Sequence, residues 1–123
     1  MTDSLQRMID QCVTLQARIA PKIKGAAVAA DIDPQAFYLK ENANALAVEA
    51  HEALNCVPWK FHKADFGRGM TGPEKDHMLE ETIDCMHFVI NIFLGLGVSD
   101  SAEVEALFFA KHEVNMERQL SGY

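Results

Sequence analysis

Apolar residues in this chain recur three and four positions apart and almost never alternate, the period of one face of a helix and not of a strand. Leu5, Met8, Ile9, Cys12, Leu15 and Ile19 form such a stripe, predicting a first helix from about Asp3 to Ala20 that stops at Pro21. A soft segment, PKIKGAAVAADID, is expected to follow. A second helix opens at Asp33-Pro34, an N-cap residue followed by proline at the first helical position, and ends before Pro58. Its stripe is Leu39, Ala43, Leu46, Ala50, Ala53 and Val57, alanine-rich enough for a neighbouring backbone to come close. The stretch from Trp59 to Gly72 reads as a loop carrying Lys60, His62, Lys63 and Arg68. Thr71-Gly72-Pro73-Glu74 then offers a capping box and an early proline for a third helix, closed by Gly95 or Gly97. Ile83, Met86, Ile90 and Phe93 line one side of it, but Phe88, Val89, Ile92 and Leu94 make its second half apolar all round, as suits the middle of a bundle. A fourth helix is expected from near Ser99 to Ser101, running to about Gln119. The fold class is therefore all-α, a four-helix bundle, and 123 residues leave room for one domain over 1–123.

Charge narrows the partners. Eleven Lys and Arg against 18 Asp and Glu leave a net charge of −7, which repels a nucleic acid polymer and an anionic membrane. The longest apolar run, Phe88 to Val98, has 11 residues and is broken by Asn91, well short of the ~20 that span a bilayer. The start, MTDSLQRMIDQ, lacks a basic segment followed by an apolar one, so the expected location is cytoplasmic. Cys12, Cys56 and Cys85 are odd in number and have no C-x-x-C spacing, which favours free thiols over disulfides or a zinc knuckle.

The chemistry lies in acids placed beside apolar faces. Glu49 and Glu52 are three apart on helix two and project to the same side, at the margin of its core stripe. On helix three His77, Glu80, Asp84, His87 and Asn91 form a polar stripe, with Glu81 beside it. One such pair of acids alone would read as a solvated helix face. Two on neighbouring amphipathic helices, with no matching set of bases, need another compensation. A hard divalent cation, Mg²⁺ with Mn²⁺ as substitute, suits all-oxygen ligation by Glu49, Glu52, Glu81 and Asp84. On helix four, Lys111, Asn115 and Arg118 share a face that suits phosphate.

These residues resemble the dimeric dUTPase branch of the all-α, MazG-like nucleotide pyrophosphatases. The superfamily's E-x-x-E and E-x-x-D are matched by VEAHE over Glu49 and Glu52 and, 28 residues on, by EETID over Glu81 and Asp84. PWK at Pro58 to Lys60, EETIDCMHF at Glu80 to Phe88 and KHEVNMERQLSGY at Lys111 to Tyr123 resemble further motifs of the dUTPase branch. The resemblance implies that Glu49, Glu52, Glu81 and Asp84 hold Mg²⁺, that Lys111 and Arg118 meet the phosphates, and that Asn115 helps to bind the nucleotide. It implies that Trp59 and Phe88 border the base, and that a (d)NTP, dUTP first, is hydrolysed to the monophosphate and pyrophosphate by a homodimer, a homotetramer being the alternative. Gln16 matches the glutamine of the branch's Gln-x-x-Asn base reader, but Ile19 stands where the asparagine would be, and the chain is shorter than most dimeric dUTPases. A MazG-like enzyme for dCTP, dATP or a broad set is thus the second reading. Two further rivals are a di-iron carboxylate bundle, imitated by Glu74-x-x-His77 and Asp84-x-x-His87, and a non-catalytic helical interaction module with surface acids.

Overall fold

The computed structural model describes residues 3–122, which form an all-α bundle of four helices: α1 Ser4–Ala29, α2 Pro34–Leu54, α3 Gly72–Gly95 and α4 Ser101–Leu120. Each start has a side-chain cap. Asp3 accepts from the Gln6 N–H, Asp33 from Ala36 and Asp100 from Ala102, while Thr71 and Glu74 satisfy each other's backbone in the expected capping box. Among the described residues no helix is long and apolar enough to cross a membrane.

Helix α1 does not stop at Pro21. It runs on to Ala29, so the segment expected to be soft is helical as far as that residue. Proline removes one N–H bond, but the Lys and Ala of KIKGAAVA favour helix, and the end is well closed. There the Ile32 N–H donates to the Ala27 carbonyl at 2.9 Å and Asp31 donates to Val28 at 3.2 Å, with Asp31 at φ 56. Ala27 is fully buried at 0%, which gives the extension a packing role. Helix α3 closes the same way around Gly97 at φ 83, with Val98 donating to Phe93 at 2.9 Å.

The bundle is built on the α2–α3 pair, the most extensive helix contact. Gln35 donates to the Gly95 carbonyl, Asn91 donates to Asn42, and Glu49 meets Glu81. Advancing along α2 thus means retreating along α3, and the two helices are antiparallel. Burial on α2 follows Asn42 and Ala53, with Glu49 and Leu46 half-buried, whereas Ala43 and Ala50 of the expected stripe are exposed. Polar pairs at the seam turn that face of α2 inward and leave those two alanines outside.

Helix α1 lies against both. Ile9 and Cys12 pack on Ile90, and the Tyr38 hydroxyl donates to Gln16 Oε1 at 2.8 Å. Asn42 passes one N–H to the Tyr38 carbonyl at 2.9 Å, so a polar chain links α1, α2 and α3 through their interior. Helix α4 is attached only at its start, where Val104 joins the Ile9 cluster and Ser101 hydrogen-bonds Asp3. Gln6 there accepts from the Ser101 N–H at 2.8 Å and donates to the Ser99 carbonyl at 3.0 Å. Beyond Val104 every described residue of α4 is exposed, and among the helices its backbone approaches α1 alone.

Gly95 marks the closest approach of α2 and α3. A Cβ there would stand 2.8 Å from both Leu39 Cδ2 and Tyr38 Cδ1, and the Tyr38 ring cannot swing away without losing Gln16. Although alanine favours helix, Gly95→Ala is expected to destabilise the fold by ~1–3 kcal/mol, measured by denaturant unfolding.

Candidate functional site

Two turns along α2 from Asn42, Glu49 and Glu52 face Glu81 on α3, and one oxygen of each lies within 4.8 Å of the others. Glu81 is buried at 9%, Glu49 half-buried and Glu52 exposed. Among the described residues Glu49 Oε2 and Glu81 Oε2 are buried without a hydrogen-bond partner. Such atoms are costly to leave unsatisfied. The other Glu81 oxygen is 3.0 Å from His77 Nε2, one turn earlier on the same helix.

Close approach sets the protonation. A hydrogen bond to Glu81, then burial and the neighbouring Glu52, raise Glu49 to about 7. Glu81, on the accepting side of that bond and next to His77, is lowered. Burial and nearby carboxylates also raise Cys56 and Cys85, so these thiols stay protonated, and all three cysteines are free. The residues present fit a hard divalent cation: three oxygen donors converge from two helices, and two buried oxygens have no other ligand.

Asp84 is exposed and lies outside this cluster, on the next turn of α3. Of the polar stripe His77, Glu80, Asp84, His87 and Asn91, only Asn91 is buried, because the inward line of α3 passes through Glu81 and Asn91. His87 bonds the carbonyl of its own helix at Ile83. Glu74 is fully engaged: it receives both Arg68 guanidinium nitrogens at 2.8 and 2.9 Å and the Thr71 N–H at 2.9 Å, which holds its carboxyl at about 2. Glu74 and His87 are thus occupied, which leaves the di-iron pattern without its ligands. The Arg68–Glu74 fork and the His77–Glu81 contact were not anticipated, although His77 and Glu81 stand at the i, i+4 spacing that brings helical neighbours together.

After α2, Trp59 is partly exposed, its indole N–H donating to Asn55 Oδ1 at 3.1 Å and Lys60 Nζ 5.7 Å from its ring. With Lys63, Arg68 and Glu74 it borders a cleft of ≈ 340 Å³. Phe88 is half-buried on α3, and Gln16 is buried with its carbonyl given to Tyr38. Lys111, Asn115 and Arg118 are exposed on α4, whose backbone approaches neither α2 nor α3, so one chain does not bring them beside the carboxylates.

A family model described as dUTPase matches residues 4–103, roughly four-fifths of the sequence. The chain belongs to the dUTPase family. The match takes in α1, α2, α3 and the first residues of α4, and with them the carboxylate cluster. A dCTP pyrophosphatase of Enterobacteria phage T4 is 44% identical over 43 residues, which cover 35% of this chain and 25% of that protein. The chain therefore aligns with about a quarter of the length of that curated relative. No solved structure matches.

For this dUTPase-family chain the carboxylate centre predicts a pH signature. Glu49 titrates near 7 when folded and near 4.5 when unfolded, so in that window the folded protein keeps a proton that the unfolded chain releases. Its contribution to stability is full below about 4.5 and lost as pH rises through about 7. Melting of the metal-free protein across this range should show that loss, and Glu49→Gln should flatten it.

Proposed function

We propose that the chain hydrolyses a deoxynucleoside triphosphate, dUTP first, to the monophosphate and pyrophosphate with Mg²⁺, Mn²⁺ being able to substitute. The observation that carries this reading is the pair of buried, unpartnered oxygens of Glu49 and Glu81 facing each other across α2 and α3 beside Glu52. Family membership and the phage dCTP pyrophosphatase support the same chemistry. Glu49, Glu52 and Glu81 hold the cation, and Asp84, one turn on, completes the donor set. A bound divalent cation supplies charge neutralisation for the phosphates and lowers the pKa of a water ligand.

The other roles belong to side chains around that centre. Lys111 and Arg118 bind phosphate oxygens, Asn115 helps to hold the nucleotide, and Trp59 and Phe88 border the base. Gln16 reads the base edge with its N–H donors, because Tyr38 already occupies its oxygen. A donor matches uracil O4 and cytosine N3 alike, so this contact does not choose between them. The phage relative favours dCTP as the second reading.

The protein is proposed to be a homodimer, with a homotetramer as the alternative. Its accessible surface is 8943 Å², whereas a compact monomer of 13.7 kDa exposes about 6,600 Å². Much of the surplus is apolar, with Phe108, Leu79 and Val48 each more than half exposed. Sedimentation equilibrium should give at least twice the chain mass.

Activity should vanish in EDTA and return with Mg²⁺ or Mn²⁺, and dUTP should yield pyrophosphate rather than phosphate. Glu52→Gln should lower kcat by orders of magnitude with the fold intact. Lys111→Ala or Arg118→Ala should weaken binding and turnover by about 1.5–3 kcal/mol per lost charged hydrogen bond. Comparison of kcat/KM for dUTP, dCTP, dTTP and dATP decides the base: a preference for dCTP selects the second reading. Full activity in EDTA overturns the metal assignment.

A further inference from the structure

We infer that α4 serves the site of a second copy: its Phe108–Arg118 face lies against the α2–α3 carboxylate region of the partner, making each site composite. The inference rests on the function proposed above for the carboxylates and for Lys111 and Arg118, and it says which chain supplies each part.

Val104, Phe108, Lys111, Asn115 and Arg118 step by four, three, four and three, so they form one stripe of α4. Its first member packs on the chain's own core, while all the others are exposed. From Val104 to Arg118 the stripe extends about 21 Å at ~1.5 Å per residue, nearly all of it beyond the body of the chain. The root of the helix is held by Gln6 and Asp3 through Ser99 and Ser101, and this attachment directs α4 away from α2 and α3. Within one chain the proposed phosphate cations therefore stand apart from the proposed metal ligands.

A partner of complementary charge is at hand in the same molecule. The carboxylate centre is negative, with His77 as the base bonded to it, and the arm brings Lys111 and Arg118. Phe108, 62% exposed, stacks on His112 and meets Phe109 edge-on, giving the arm an aromatic anchor beside its cations. The surface surplus of about 2,300 Å² per chain is what an obligate interface of roughly 2,000–5,000 Å² in total would bury. An exchanged arm accounts for the apolar surface and the displaced cations together.

The test is complementation between two inactive chains. One carries Glu52→Gln, with α4 intact; the other carries Lys111→Ala and Arg118→Ala, with its carboxylates intact. Distinct affinity tags isolate the heterodimer after co-expression. If α4 acts across the interface, one of its two sites is whole, and the heterodimer should recover about half of the wild-type rate per dimer. A rate no higher than the mean of the two parent homodimers overturns the inference.

A second measurement needs no activity. A photocrosslinking phenylalanine analogue at Phe108, in a mixture of ¹⁵N-labelled and unlabelled chains allowed to exchange, should give α4-to-α2 or α4-to-α3 crosslinks of mixed isotope. Crosslinks of one isotope only, or none to α2 or α3, overturn the composite site. If the wild type hydrolyses no nucleotide but mixed crosslinks form, the proposed function fails while the shared architecture stands.

Discussion

The contact on which everything else hangs is the antiparallel seam between α2 and α3, and its central feature is that it is polar at two levels. At one level Asn91 donates to Asn42; two turns away, Glu49 meets Glu81. Apolar helix faces tolerate sliding, because one leucine replaces another at modest cost. A buried amide pair does not, since displacement by a turn leaves donors and acceptors unpaired in a dry interior. The amides therefore set the register that brings acids from two helices together. Gly95 lets the helices come close enough for both levels to form, and the Gln16–Tyr38 bond ties α1 to the same seam.

Such a seam accepts an internal conflict at its far end. Three carboxylates gathered there repel one another, and Glu49 relieves the repulsion by retaining a proton toward neutral pH. A fold selected for stability alone would fill this space with apolar side chains. The cluster is tolerated because the rest of α2 and α3 over-determines their positions: capped starts, a closed α3 end, and the amide pair. Local instability at one point and rigidity around it are what a site for a hard cation needs.

The sequence made the helices legible wherever their ends carried explicit chemistry. Asp33-Pro34 and Thr71 to Glu74 mark real starts, and Gly97 makes the turn that closes α3. Pro21 misled because proline was read as a stop, while the closing turn eight residues after Ala20, at Ala27 to Ile32, depends on Asp31 taking a positive φ that composition does not announce. Three of the four acids were legible as one cluster from spacing alone. Asp84 shared their pattern but not their burial, because spacing gives angles around a helix and not the direction in which the neighbour lies. Likewise the alanine stripe on α2 showed which residues were small, not that Asn42 would turn another face inward. The free course of α4 was invisible, since its periodicity is the same whether its partner belongs to its own chain or to another.

Arg68 is the residue in the α2–α3 loop best shaped to grip an anion, and it already holds one. Its fork is closed on Glu74, the same carboxylate that caps the backbone at the start of α3. Glu74 thus acts as a resident anion, and a phosphate entering the cleft beside Trp59 would have to compete with it. To win Arg68 the newcomer would loosen the first turn of α3, the helix that carries Glu81. Occupancy of the loop and order at the head of α3 are therefore opposed, and Lys60 and Lys63 are the cations that the loop can offer without disturbing the frame of its own acids.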